Sequence, residues 1–212
     1  TPRVDYSSQS GAHRLFARLA VAQLQQPEFI YSPYPDFRST LRQGAVNFAF
    51  GALDQISTNV TNEARFARNG DVLRLDRPHP EVATFGSFDQ AWLPGSPLFY
   101  DYRNSGRNYE VLDNVVVASG RHLHKLGGGV LWRQSQGPFT FRGDGFYFVE
   151  SVQKLASSEP LALLLSYDRT NPATAPEYDR RYRSSQGYFF LQDSFRLRPN
   201  LTLNYGLRYE RY

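Results

Sequence analysis

Residues 188–210 read Tyr188-Phe189-Phe190-Leu191-Gln192-Asp193-Ser194-Phe195-Arg196-Leu197-Arg198-Pro199-Asn200-Leu201-Thr202-Leu203-Asn204-Tyr205-Gly206-Leu207-Arg208-Tyr209-Glu210. In the second half, Leu201, Leu203, Tyr205, Leu207 and Tyr209 fall on one side, and Thr202, Asn204, Gly206, Arg208 and Glu210 on the other. A period of two sustained at this length is a β-strand with one apolar and one polar face. Its length is also about that of a tilted strand crossing the hydrocarbon layer, roughly 9–11 residues. The first half repeats the pattern, with Phe189, Leu191, Phe195 and Leu197 opposed to Gln192, Ser194, Arg196 and Arg198. Asp193 interrupts the apolar side, which predicts a position near an interface or beyond the lipid. Pro199 and Asn200 between the halves are turn residues, so the stretch predicts a hairpin.

Three further hairpins can be read upstream. Val46, Phe48, Phe50 and Ala52 alternate with small or polar residues, and 57–62 is the expected turn. The return strand sets Ala64 and Phe66 against Glu63 and Arg65. Tyr109, Val111, Val115 and Val117 form the next outgoing strand, which turns at 119–121 and returns through Leu126, Gly128, Val130 and Trp132. The first hairpin spans 3–6 and 14–24 around 8–11; its second arm also fits an amphipathic helix and is read as a strand because its neighbours are strands. The joins between hairpins, about 25–42, 76–107 and 136–184, are long. Short turns at one end and long loops at the other are the pattern of a transmembrane barrel, whereas a soluble sandwich keeps most connections short. One short helix is expected over 148–157.

Composition fits this reading. The chain has 212 residues, with 14 Tyr and 16 Phe, yet its mean hydropathy is -0.52. Such a balance suits strands that face lipid on one side and a wet lumen on the other, though a soluble sandwich can share it. The longest apolar run, Leu161-Ala162-Leu163-Leu164-Leu165, is far too short for a membrane helix. With no Cys, disulfides and thiol catalysis are excluded. The chain also has no Met and no leader-like start, so it reads as a piece of a longer protein. The net charge of +4 comes from scattered Arg, with only Lys125 and Lys154 as lysines, and does not form a nucleic-acid-binding patch.

The hairpin at 188–210 resembles the barrel hairpin of TonB-dependent receptors, in which an aromatic-x-Gln-Asp strand passes a Pro-containing turn into Leu-Thr-Leu-Asn-x-Gly-Leu-Arg-Tyr-Glu. Shorter stretches are similar to other strands of those barrels: Arg3-Val4-Asp5-Tyr6 with His13-Arg14-Leu15-Phe16-Ala17-Arg18, Asn62-Glu63-Ala64-Arg65-Phe66, and His122-Leu123-His124-Lys125-Leu126-Gly127-Gly128. Their order is most similar to the large Oar-like receptors that carry an N-terminal carboxypeptidase-regulatory-like domain. The resemblance implies an all-β, antiparallel transmembrane barrel segment of about eight strands in four hairpins, with periplasmic turns and extracellular loops. It implies a bacterial outer-membrane location and a barrel of the roughly 22-stranded, plugged class. Residues 1–212 are then a partial barrel domain without the plug or the last strand, and TonB would be reached through the missing N-terminal parts.

His122 and His124 share a strand face and could hold a metal, but Lys125 is adjacent and the position is a turn, so a solvated turn is the expectation. Gly127-Gly128-Gly129 lacks the Lys-Ser/Thr of a phosphate loop and is read as relief of crowding. Asp101, Glu110, Asp113, Asp144 and Glu150 come with no nucleophile motif, so no catalysis and no cofactor are expected. Asn59 and Asn200 open glycosylation sequons but sit at turns. Trp132, Phe195, Tyr205, Tyr209 and Tyr212 are the candidate membrane-interface aromatics. Trp92, Phe99, Tyr100, Tyr102 and Arg103 are the candidate ligand contacts in an extracellular loop, and loop self-packing would explain them equally well. The leading expectation is a wall segment of a TonB-dependent transporter, bathed in outer-membrane lipid, serving a large or scarce ligand of unknown identity. The alternatives are a passive porin-like or small anchoring barrel, and a soluble β-rich adhesin or carbohydrate-binding domain.

Overall fold

The computed structural model describes residues 1–75, 78–79, 81–95, 102–138, 146–174 and 177–212. In chain order the strands are β1 (Arg3–Ser7), β2 (His13–Ile30), β3 (Ser39–Ser57), β4 (Val60–Leu75), β5 (Thr84–Ser87), β6 (Tyr102–Ser119), β7 (His122–Pro138), β8 (Phe146–Val149), β9 (Ala162–Leu164), β10 (Asp179–Arg198) and β11 (Leu201–Arg211). A 3-10 turn covers Pro35–Phe37, and the one α-helical turn among the described residues, α1, covers Val152–Ala156.

Eight strands form one sheet in the order β1-β2-β3-β4-β6-β7-β10-β11. Every pairing in it is antiparallel, and each strand lies beside the next one in the chain apart from the strands of the loops. This is the up-and-down meander that the four expected hairpins require. The turns are tight for identifiable reasons. Gly120, at φ +59°, supplies the left-handed residue of the β6–β7 turn, and Gly11, at φ +71°, does so between β1 and β2. Pro199-Asn200 closes β10–β11, with a bulge between Arg196 and Arg198 taking up the register.

Several boundaries differ from those read in the sequence. The return strand after the second hairpin begins at Val60, so only 58–59 turn. Strands β2, β7 and β10 run on to Ile30, to Pro138 and from Asp179, well into stretches expected to be loops. At Gln25, Gln26, Arg180 and Arg181 both faces are polar, so the ladder continues where hydrophobic alternation has stopped; on β2 an irregularity between Gln26 and Ile30 interrupts it before the strand ends. Of the expected helix over 148–157 only α1 forms, capped by the Ser151 hydroxyl, while Phe148 and Val149 belong to β8. The long connections also build a three-stranded sheet of their own, β5-β8-β9, with β5 and β8 parallel. Its buried side chains, Phe146 at 7% and Val149 at 1% exposed, are the only buried hydrophobic residues among those described.

The large sheet therefore has no core on either side. One face is set by the register His13–Asp54–Asn62–Val115–Leu126–Leu191–Leu207 and its alternate rows, the other by Arg18–Ala49–Ala67–Glu110–Leu131–Gln186. The second face carries Arg14, Arg18, Glu63, Arg65, Glu110, Lys125, Arg133, Arg208 and Glu210. Twice on this face an aromatic ring lies across a facing glycine and is covered by an Arg. Phe16 crosses Gly51 beneath Arg3, whose guanidinium is 5.3 Å from the ring centre, and Tyr188 crosses Gly129 beneath Arg208 at 4.4 Å. A Cβ on residue 129 would lie 2.9 Å from both the Tyr188 ring and the Val111 carbonyl oxygen, which bears out the crowding-relief reading of the glycine run. Gly129→Ala is expected to cost about 1 kcal/mol, because the ring can shift but the carbonyl cannot. Urea titration of the folded protein measures this.

Candidate functional site: the outward face and the loop end

The first face is apolar over a limited span of each strand. On β2 it reads Leu15, Ala17, Leu19, Val21 and then Gln23 and Gln25; on β3, Ala52, Phe50, Phe48 and Val46 before Gly44 and Arg42. On β7 it reads Leu126, Gly128, Val130, Trp132 and then Gln134 and Gln136; on β11, Leu201, Leu203, Tyr205, Leu207 and Tyr209 before Arg211. These side chains are open to the surroundings, Leu207 at 74%. A contiguous apolar surface of this extent, with only Phe146 and Val149 buried among the described hydrophobic residues, identifies lipid as the solvent of this face.

The band also crosses the sheet obliquely. Its centre on β2, near Arg18, belongs to the register line that passes Leu131 and Gln186, while its centre on β11, Tyr205, belongs to the line through His124 and Asp193. The band thus shifts by about seven residues, roughly 24 Å at ~3.4 Å per residue, over six strand spacings of ~4.8 Å each. That ratio corresponds to a strand tilt of about 40°, within the ~35–45° of outer-membrane barrels. An apolar band that crosses the sheet at this obliquity is what a wall of tilted membrane-spanning strands requires.

Polar residues interrupt the band at the seams between successive hairpins. Each seam pairs an acid on the outgoing strand with a His or Asn on the return strand before it. His13 Nδ1 lies 2.8 Å from Asp54 Oδ1, the Asn62 side-chain amide donates to Asp113 Oδ1 at 2.6 Å, and His122 Nδ1 lies 2.7 Å from Asp193 Oδ2. The last is the most elaborate. The Tyr205 hydroxyl donates to Asp193 Oδ2 at 2.6 Å, and His124 Nδ1 stands 3.4 Å from Oδ1. Phe195 stacks on His122 at 4.4 Å between ring centres, and His122 stacks on His124 at 5.4 Å. Asp193 lies opposite His124, close to the start of β7 after the β6–β7 turn, and between Leu191 and Phe195 of the apolar run. It stays inside the band at 8% exposure, sheltered by its partners.

The candidate interface aromatics divide. Trp132 ends the apolar run of β7 beside Tyr109, Tyr209 ends that of β11, and Phe195 and Tyr205 join the Asp193 group. Tyr212 follows β11 and donates to Glu210 at 2.7 Å, so it sides with the polar face. Glu110 and Asp113 point to opposite faces, and Asp101 and Asp144 lie outside the described residues.

The loop-end candidates also separate. Trp92, 63% exposed, is held by the Tyr34 hydroxyl, which donates to its carbonyl oxygen at 2.9 Å, and by an edge contact with Tyr31 at 6.4 Å between ring centres. Arg38 lies 5.3 Å over Tyr31 and donates to Glu28 Oε1 at 2.7 Å. Tyr102 and Arg103 are in β6 rather than in a loop, and Arg103 pairs with Asp179 of β10 at 2.6 Å. Phe99 and Tyr100 lie outside the described residues. The sequence missed Tyr31 and Tyr34 as the partners of Trp92, although both stand in the aromatic-rich join 25–42.

Asp89 ties two of these connections together. Its carboxylate accepts from the Ser87 hydroxyl, from the Ala91 amide at 3.1 Å and from the Val152 amide at 3.1 Å. These donors, Ser87 foremost, hold its pKa below the ordinary 3.8. A depressed carboxylate stabilises the fold above its unfolded pKa and loses that contribution as pH falls through the folded value. Asp89→Ala is expected to open the loops to limited proteolysis at neutral pH with the strands intact. The native loops should stay protected until the pH falls below about 3.8.

A family model described as "Outer membrane beta barrel domain" matches residues 1–212. A search of curated proteins finds no match. Among solved structures the chain is similar to the outer membrane transporter YddB from Escherichia coli, with 11% identity and a TM-score of 0.54. The alignment covers 98% of this chain and 26% of that one, so the chain spans about a quarter of that structure's length. At that identity the likeness is one of fold.

Proposed function

Because the chain belongs to the outer membrane β-barrel domain family, we propose that it supplies part of the wall of a TonB-dependent transporter that takes up a large or scarce ligand across the bacterial outer membrane. The observation that carries the proposal is the wall itself. Its strands run to 16–20 residues in β2, β3, β4, β6, β7 and β10, well beyond the ~9–11 needed to cross the bilayer. The excess continues as polar ladder past the loop edge of the band and carries the folded loops away from the lipid. A charged inner face suits a barrel wide enough for water and a plug, whereas small barrels fill their lumen with packed side chains. In this reading the short turns are periplasmic and the loops extracellular, with Tyr31, Tyr34 and Trp92 offering an aromatic contact surface to ligand. TonB is reached through parts of the protein outside this chain.

Planar-bilayer recording of the full-length protein separates this function from a passive porin. A plugged transporter is expected to be electrically silent until denaturant loosens the plug. Steady ohmic conductance from the native protein would instead establish the passive-pore reading.

A further inference from the structure

We propose that His122, His124 and Asp193 form a binding site for a divalent transition-metal ion, of the zinc or copper type, on the outer surface of the barrel. One ligand atom from each residue lies within 4.8 Å of the others. Adjacent ligands around a tetrahedral zinc are about 3.3 Å apart for bonds of ~2.0–2.1 Å, so closing the set takes only side-chain adjustment. The strand geometry favours it. His122 and His124, two apart on β7, share the face of Asp193, with His124 facing Asp193 and His122 facing Phe195 across the β7–β10 ladder. Lys125, whose charge argued against a metal in the sequence, faces Gln192 and so lies on the opposite side of the sheet.

A second, independent observation points to a missing ligand. Asp193 is 8% exposed, yet its buried Oδ1 accepts no hydrogen bond and has only the longer 3.4 Å ion-pair contact from His124 Nδ1 among the described residues. An acceptor left open inside an apolar band is costly, and ionisable side chains at such depth commonly mark functional sites. The neighbouring groups suit an outer shell. The Tyr205 hydroxyl holds Oδ2, leaving Oδ1 directed at His124, and the Phe195–His122–His124 stack fixes the imidazole planes. His122 directly follows the turn, which gives the ion a path from water. Binding replaces the His122–Asp193 hydrogen bond with two metal bonds and ties β7 to β10 at a seam whose connection runs through a long loop.

The test uses the full-length protein folded in detergent micelles, titrated with Zn2+ by calorimetry. One saturable equivalent is expected. His124→Ala and Asp193→Asn should each weaken it by about tenfold or more, since even outer-shell partners of a metal are worth ~10–100-fold. His79→Ala should bind as the native protein does. A readout that needs no variant is diethyl pyrocarbonate labelling mapped by mass spectrometry. Zn2+ should protect His122 and His124 in the native protein while His79 stays reactive. Absence of saturable binding, unchanged affinity in His124→Ala, or labelling of both histidines regardless of Zn2+ would each overturn the site.

Discussion

Leu191→Arg is expected to destabilise the bilayer-folded protein by about 2–4 kcal/mol, the cost of placing a guanidinium on the lipid face near mid-depth. Leu191 is flanked on the same face by Leu126 of β7 and Leu207 of β11, and Asp193, two residues along that face, is already engaged by Tyr205 and His122. The neighbouring Gln192→Arg puts the same side chain on the polar face between Lys125 and Gly206. It is expected to stay within about 0.5 kcal/mol, as ordinary solvated substitutions do. The pair of variants reads facing rather than residue type. Equilibrium urea titrations of the full-length protein in liposomes supply both numbers, and equal costs at 191 and 192 would remove the lipid face from the account.

Asp193→Ala should cost about 2–4 kcal/mol, more than an ordinary surface change, because it strands its partners rather than itself. The Tyr205 hydroxyl and the His122 and His124 imidazoles would all remain beside the apolar band without their acceptor. Tyr205→Phe removes only one donor and leaves both histidines paired, so a loss of about 1 kcal/mol is expected. Replacing the whole group with apolar residues should recover much of the loss, since a buried ionic cluster is costly to form and costlier to break. If Asp193→Ala and Tyr205→Phe prove equivalent in the same titration, the seam cluster does not act as a unit.

The sequence made the membrane-crossing parts legible because lipid on one side and water on the other impose alternation. The run 201–209 and the alternations around Val46 to Ala52 and Leu126 to Trp132 could be read for that reason, as could the eight-strand meander they build. Outside the bilayer no such force acts, so the strand extensions at Gln25, Arg180 and Arg181 looked like loop. The β5-β8-β9 sheet was hidden because it joins segments from two separate connections, and nothing local in 84–87 announces a partner at 146–149. At the Asp193 group the signals were all present: His-x-His at strand spacing and an acid on an apolar face. What joined them was the register of β7 against β10, a long-range property that one strand's pattern does not contain. Lys125 misled for the same reason, being adjacent in sequence but on the other side of the sheet.

In a barrel wall of this kind the odd-numbered residues of 201–209 face lipid and the even-numbered ones face a wet lumen. Spin labels placed singly along 201–210 in the full-length protein, in bilayers, test it most directly. A period of two is expected, with labels at Leu203, Tyr205 and Leu207 relaxed by oxygen dissolved in lipid and labels at Thr202, Asn204 and Arg208 relaxed by a water-soluble nickel chelate. Uniform access to the nickel reagent along the whole segment would contradict it.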